Sequence, residues 1–162
     1  MTAPANNIQH VEMQFANAAL LPEIVKIIEE GHTVTLLLRG YSMRPFLENE
    51  RDKALLAQAK AFRVKDAVLA EIGPGHYVLH RIIKIEGDHV TLKGDGNLGT
   101  EHCRLCDVKA KAIGFYRKGR KKLDSTDGKK WKIYSAIWLS LSPIRRYLLA
   151  FYRRIWLPLF TR

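Results

Sequence analysis

Between residues 53 and 116 the chain is a series of short apolar runs with no helical pattern between them: Ala54 to Ala57, Ala67 to Ile72, Tyr77 to Ile85, His89 to Leu92 and Val108 to Tyr116. Gly73-Pro74-Gly75 and Glu86-Gly87-Asp88 stand between three of these runs and have the composition of tight turns. Closely spaced strands without intervening helices pair with their neighbours in antiparallel fashion. The expected fold is therefore mainly β, of the α+β class, with an antiparallel core.

The flanks differ from this core. Phe15, Ala18, Ala19, Leu21, Ile24, Val25, Ile27 and Ile28 recur at spacings near three and four, which predicts a helix over 15 to 30, stopped by Gly31. Thr33 to Leu38 is rich in β-branched and apolar residues and reads as a buried strand feeding the loop at Gly40. Beyond Tyr116, the run Arg117-Lys118-Gly119-Arg120-Lys121-Lys122 and the polar stretch to Lys130 read as a solvated linker. Trp131 to Leu141 and Pro143 to Phe160 carry aromatics and leucines at helical intervals, which predicts two short amphipathic helices. The resulting division is an N-terminal extension and helix (1–32), a β domain (33–118), a basic linker (119–130) and a basic helical tail (131–162).

Charge follows this division. Residues 1–116 hold 14 Lys/Arg against 14 Asp/Glu, whereas 117–162 hold 13 Lys/Arg against Asp124 and Asp127 alone, so the whole excess of +11 lies in the last segment. Cys103 and Cys106 lack the second pair that a four-ligand zinc site needs, so neither a metal nor a cofactor is expected and both read as incidental thiols. Met1 to Gln14 has no basic start followed by an apolar core, and no stretch reaches the roughly 20 apolar residues that span a bilayer. These features imply a cytoplasmic location, or attachment to the inner face of a membrane.

The residues that carry chemistry lie in a loop after a predicted strand, within a predicted strand and in a turn. Ser42 follows a strand, and Gly40 two positions before it permits backbone geometry that a side chain would obstruct. Pro45 fixes the chain beyond, and Met43 can pack inward and hold the loop down. Such a loop can present a hydroxyl together with the N–H beside it, one half of an oxyanion hole. A serine needs a neighbouring base to attack a carbonyl at neutral pH. In the strand Tyr77 to Ile83, alternation turns His80 to the core face with Val78 and Ile82, either as a hydrogen-bonded structural group or as that base. Asp95, in Lys93-Gly94-Asp95-Gly96-Asn97, is either part of an ordinary turn or the carboxylate that orients the imidazole.

Taken in order, Gly40-Tyr41-Ser42-Met43-Arg44-Pro45, Val78-Leu79-His80-Arg81-Ile82 and Lys93-Gly94-Asp95-Gly96-Asn97 resemble the three boxes of the signal peptidase I family, within the clan that includes LexA-type repressors. The histidine resembles the archaeal and endoplasmic reticulum branch; the bacterial branch and the repressors carry lysine there. Arg63 to Leu69 is similar to the family's Gly-Asp-Ile-Val strand entry, with Lys65 in place of the glycine. The resemblance covers about Thr33 to Tyr116 and implies a signal-peptidase-like β fold with Ser42 as nucleophile, His80 as general base and Asp95 as its orienting carboxylate. Gly40, Met43 and Pro45 would support the loop. No segment matches the family's N-terminal membrane anchor or the repressors' DNA-binding domain.

The implied activity is that of a serine endopeptidase acting on a peptide, leader or signal-like segment. A non-catalytic peptide-binding or processing-partner module on the same fold is the alternative. For the tail, where Trp131, Tyr134, Trp138, Tyr147, Phe151, Tyr152, Trp156 and Phe160 stand among cations, three uses are open. These are attachment to a membrane surface, packing on the β core or a partner protein, and nucleic-acid binding, which no reading motif supports.

Overall fold

The computed structural model describes residues 17–160. The expected helix is α1 (Asn17–Glu29), closed by Gly31 at a φ of +92°; the start assigned to residue 15 and the segment Met1 to Gln14 lie outside the described residues.

Among the described residues eight strands form one antiparallel sheet: β1 (Val34–Leu37), β2 (Lys53–Ala57), β3 (Ala67–Gly73), β4 (His76–Glu86), β5 (His89–Lys93), β6 (Glu101–Arg104), β7 (Val108–Tyr116) and β8 (Leu123–Ser125). The spatial order is β1-β2-β7-β3-β4-β5-β6, with β8 added to β7. The fold is thus α+β with mainly β content, and each of the five apolar runs between 53 and 116 became a strand. The segment expected to be a buried strand is the sheet edge, β1, and all four of its residues are only half-buried. Among the described residues its one strand partner is β2, and the face of Val34 and Leu36 reaches the core.

β3 explains how the core is divided. Ala67 and Leu69 point into a cluster with α1, Met43, Phe46, Leu47 and Phe115, while Val68 and Ala70 point into another with Ile82, Val90, Leu92 and Val108. A strand apolar on both faces belongs in the middle of a covered sheet.

The segment read as a linker is partly ordered structure. β8 pairs with β7 from Gly114 to Tyr116, because Gly114 has no side chain and leaves room for Leu123 to lie directly over it. Asp124 holds the turn through ion pairs to Arg117 and Lys130, and the Thr126 hydroxyl donates to the Ala112 carbonyl.

The tail begins with α2 (Lys129–Ser140), which packs on the β core. Trp131, Ser135 and Trp138, spaced four and three apart, form its buried face. Trp131 lies 4.9 Å from both Phe46 and Phe115, and Tyr134 stacks on Phe46 at 4.4 Å. α3 (Arg145–Phe151) continues through a π-helical turn at Tyr152–Trp156 into α4 (Leu157–Phe160), with Arg145 and Leu149 buried. No helix among the described residues is long and apolar enough to cross a membrane.

If α2 completes the core, Trp131→Ala should lower the unfolding free energy by about 3–5 kcal/mol. Urea titration followed by far-ultraviolet circular dichroism would measure it; a change below about 1 kcal/mol, the size of a typical surface substitution, would show α2 to be an appendage.

Candidate functional site

Two loops and the strand β4 meet around one cleft. The serine loop leaves β1 through Leu38, whose N–H donates to the Asp52 carbonyl at 2.9 Å while its own carbonyl accepts the Glu50 N–H at 2.8 Å. Gly40 has a φ of +97°, a conformation that strains any residue with a Cβ, and its N–H donates to Asn49 Oδ1 at 2.7 Å. Met43, Phe46 and Leu47 are buried and anchor the loop from below. Asp52, fully buried, ties down its far end. It accepts the N–H groups of Glu48 and Lys118 and pairs with Arg51. Burial alone would raise the Asp52 carboxyl, but Arg51 and the two N–H donors outweigh it and hold the group below the usual aspartate value.

The second loop, Lys93-Gly94-Asp95-Gly96-Asn97, lies directly on the first. The Gly96 N–H donates to the Ser42 carbonyl at 2.7 Å. A Cβ on Gly94 would stand 2.5 Å from that same carbonyl oxygen, and one on Gly96 would stand 2.5 Å from the Tyr41 carbonyl oxygen. Both glycines are therefore required by close approach of two backbones. The pair fixes where Ser42 sits.

Ser42 and His80 line the same cleft, of about 260 Å³, together with Leu38, Met43, Leu47, Tyr77 and Asn97 among others. Among the described residues neither the hydroxyl nor the N–H of Ser42 has a hydrogen-bond partner, and its carbonyl accepts from Gly96, so the Ser42–His80 hydrogen bond is not made. His80, on β4, is 3 % exposed.

The expected pairing of His80 with Asp95 is not what the fold provides. Asp95 is taken by Arg81: Nε donates to Oδ1 at 2.9 Å and Nη2 to Oδ2 at 2.7 Å, with both side chains buried. The Tyr134 hydroxyl donates to Asp95 Oδ2 and the Trp138 indole N–H to the Asp95 carbonyl. The carboxylate beside His80 is that of Glu101, the first residue of β6, whose Oε2 lies 2.8 Å from His80 Nδ1. Successive residues of a strand point to opposite faces. His80 and Arg81 therefore recruit different carboxylates, and Arg81 turns to the face covered by α2, where its guanidinium lies 4.5 Å from the Trp131 ring centroid.

A carboxylate only accepts hydrogen bonds, so Nδ1 carries the proton and Nε2 remains as the basic nitrogen. Burial lowers the His80 pKa below its ordinary value; Glu101, and more weakly Asp95, pull it back toward the charged form without reversing the shift. The ring is thus neutral near pH 7. Glu101 lies outside the motifs that pointed to the site, in the polar run Glu101-His102-Cys103-Arg104, and nothing in its local sequence marks it. The arginines near the serine loop are largely paired within the chain, Arg44 with Glu48, Arg51 with Asp52 and Arg81 with Asp95, while Arg39 stands exposed at the cleft.

Among the described residues no group of three or more His, Cys, Asp and Glu side chains could hold a metal ion. No protein-family model and no curated protein matches the chain.

Removing one member of a buried ion pair leaves the other charge unpaired, which costs about 3–5 kcal/mol. Asp95→Asn should therefore lower stability by an amount near the bottom of that range, since one acceptor oxygen is kept, whereas Glu101→Gln, at a partly exposed site, should change it by less than about 1 kcal/mol. Thermal and urea unfolding of the two variants side by side would measure the difference.

Proposed function

We propose that the protein is a serine endopeptidase, with Ser42 as nucleophile, His80 as general base and then acid, and Glu101 as the carboxylate that orients the imidazole. The observation that carries this reading is the convergence on one cleft of an unbonded Ser42 hydroxyl and a buried, neutral His80 whose Nδ1 is held by Glu101. The resemblance of the three sequence boxes to histidine-type signal peptidases, in the clan of LexA-type repressors, supports the same assignment, with Glu101 in the role the resemblance gives to Asp95. Asp95 instead holds the architecture through Arg81.

In the proposed cycle the Ser42 hydroxyl oxygen bonds to the scissile carbonyl carbon as its proton passes to His80 Nε2. The carbonyl oxygen takes the negative charge and is met by the unpartnered Ser42 N–H and by the Asn97 side chain at the cleft. The C–N bond then breaks, and the amine leaves with the proton from His80. Water, deprotonated by the same nitrogen, hydrolyses the acyl-serine and restores the enzyme. Leu38, Met43, Leu47, Tyr77 and Val78 make the cleft largely apolar, which suits an extended peptide or leader segment with an uncharged side chain beside the cleaved bond.

A base must be deprotonated to act, so the acid limb of reactivity follows the His80 pKa and should lie below pH 6.5, the ordinary histidine value. Glu101→Gln removes an attraction for the imidazolium; it should move this limb further down and, by loosening ring orientation and tautomer, slow the reaction about 10³ to 10⁴-fold. Ser42→Ala and His80→Ala should each lower turnover by about 10⁴ to 10⁶-fold. The rate of fluorophosphonate labelling at Ser42 against pH, read by mass spectrometry, tests the first two points. Comparing peptides that accumulate in cells carrying Ser42→Ala with those in wild type tests the last.

The unmade Ser42–His80 hydrogen bond favours, as a second reading, a non-catalytic module that binds a peptide in the same cleft. Absence of Ser42-dependent labelling together with an unchanged peptide profile would decide for it.

A further inference from the structure

Helices α3 and α4 pack one face on the protein and expose large apolar side chains on another. Arg145 and Leu149 are buried on the inner face, with Arg145 Nη2 donating to the Trp138 carbonyl at 2.9 Å. On the outer face Tyr147, Phe151, Ile155 and Leu159 are 60, 53, 46 and 68 % exposed. These four residues recur every fourth position. In a regular α-helix of 3.6 residues per turn such a series would drift around the axis. The π-helical turn at Tyr152–Trp156 is wider and offsets that drift, keeping the four residues on one stripe. Trp156, 48 % exposed, adds an indole beside it. On α2, Ile133 and Ile137 are likewise exposed opposite the face that packs on the core.

The charge carried by these helices is of one sign. After Asp127 the chain contains no acidic residue, whereas Lys129, Lys132, Arg146, Arg153 and Arg154 are all exposed. A large apolar stripe with aromatic rings, on helices whose own charged residues are all cations, matches an anionic bilayer surface. The rings favour the headgroup layer, the aliphatic groups enter the acyl boundary, and arginines meet the lipid phosphates. A nucleic acid would use the cations but leave the isoleucines and Leu159 in water.

We propose that the outer face of α3 and α4, with the exposed side of α2, docks this protein peripherally on an anionic lipid bilayer. The same helical segment reaches the cleft, since the Tyr152 hydroxyl lies 3.5 Å from Glu48 Oε2 and Glu48 lines the cleft beside Ser42. Docking would therefore place the bilayer on the far side of the helix that contacts the cleft wall. The docking surface itself stands apart from the peptidase reading and is tested without any activity.

The experiment is co-sedimentation of the full chain with vesicles of phosphatidylcholine alone and of phosphatidylcholine mixed with phosphatidylglycerol. Partitioning onto the mixed vesicles is expected, and much less onto the neutral ones. Each exposed arginine near the surface accounts for about fivefold, so Arg153→Gln with Arg154→Gln should weaken partitioning roughly 30-fold. Phe151→Glu with Ile155→Glu should weaken it by about as much or more, through lost apolar burial. All four side chains are exposed, so both double variants should keep the wild-type circular dichroism and melting temperature. Failure to bind the mixed vesicles, or equal binding by both double variants and wild type, would overturn the proposal. So would a dimer that Phe151→Glu with Ile155→Glu abolishes, or oligonucleotide binding, in a protein that does not bind vesicles.

Discussion

The buried pair of Arg81 and Asp95 is the constraint on which the rest of the arrangement depends. Two fully desolvated charges persist in a small domain only when their remaining donors and acceptors are met. Arg81 reaches Asp95, the Lys65 carbonyl and the Ser135 hydroxyl, and lies over Trp131, while Asp95 also accepts from Tyr134. Four separate segments thereby share one network: the loop before β3, the middle of β4, the turn after β5 and the helix α2. α2 is consequently part of the core, because without it both charges would face water on one side and Trp131 would leave Phe46 and Phe115 uncovered.

The serine loop inherits its position from that network. Gly94 and Gly96 press the Asp95 turn against the Tyr41 and Ser42 carbonyls, and Phe46, four residues beyond Ser42, is packed by Trp131 and Tyr134 of α2. Arg117 closes the loop from another side, with Nε donating to the Phe46 carbonyl at 2.9 Å. The proposed role of Ser42 as nucleophile requires its geometry to be held to within a fraction of an ångström. Here the fixing is done by backbone contacts and aromatic packing, which leaves the Ser42 hydroxyl and N–H without other commitments.

Much of this was legible in the sequence wherever a residue's role is local. The runs between 53 and 116 gave strands because alternation and turn residues act over a few positions; the conformation of Gly40 and the burial of Met43 and His80 follow from their immediate neighbours. What was not legible is set by contacts across the sheet. β6 is the polar edge segment Glu101-His102-Cys103-Arg104, whose strand character comes from pairing with β5 rather than from its own propensity. The buried spacing of Trp131, Ser135 and Trp138 was visible, but the sequence could not tell a face destined for the core from one destined for a membrane or a partner. Asp95 looked like the partner of His80 because it lies in a glycine-flanked turn next in order. Choosing between Asp95 and Glu101 requires knowing which side of β4 each carboxylate faces, and a reading of adjacent boxes leaves Arg81 out of the competition.

That competition also explains why two carboxylates are needed so close together. If Asp95 served His80, Arg81 would be a buried cation without a counter-charge, a loss larger than any gain in ring orientation. Assigning Asp95 to Arg81 and Glu101 to His80 satisfies both. It also divides the labour by environment: Asp95 is buried in a network that joins four segments, whereas Glu101 keeps part of its surface in water and meets the imidazole without the desolvation cost that Asp95 needs Arg81 to offset. His80 can then be buried enough to stay neutral while still held in a single tautomer. Under the proposed peptidase reading, a loss of activity at the two acidic positions would therefore have different origins, Asp95 acting through the folded state and Glu101 through the base, and a fall in turnover at Asp95 alone would not identify it as a member of the reacting group.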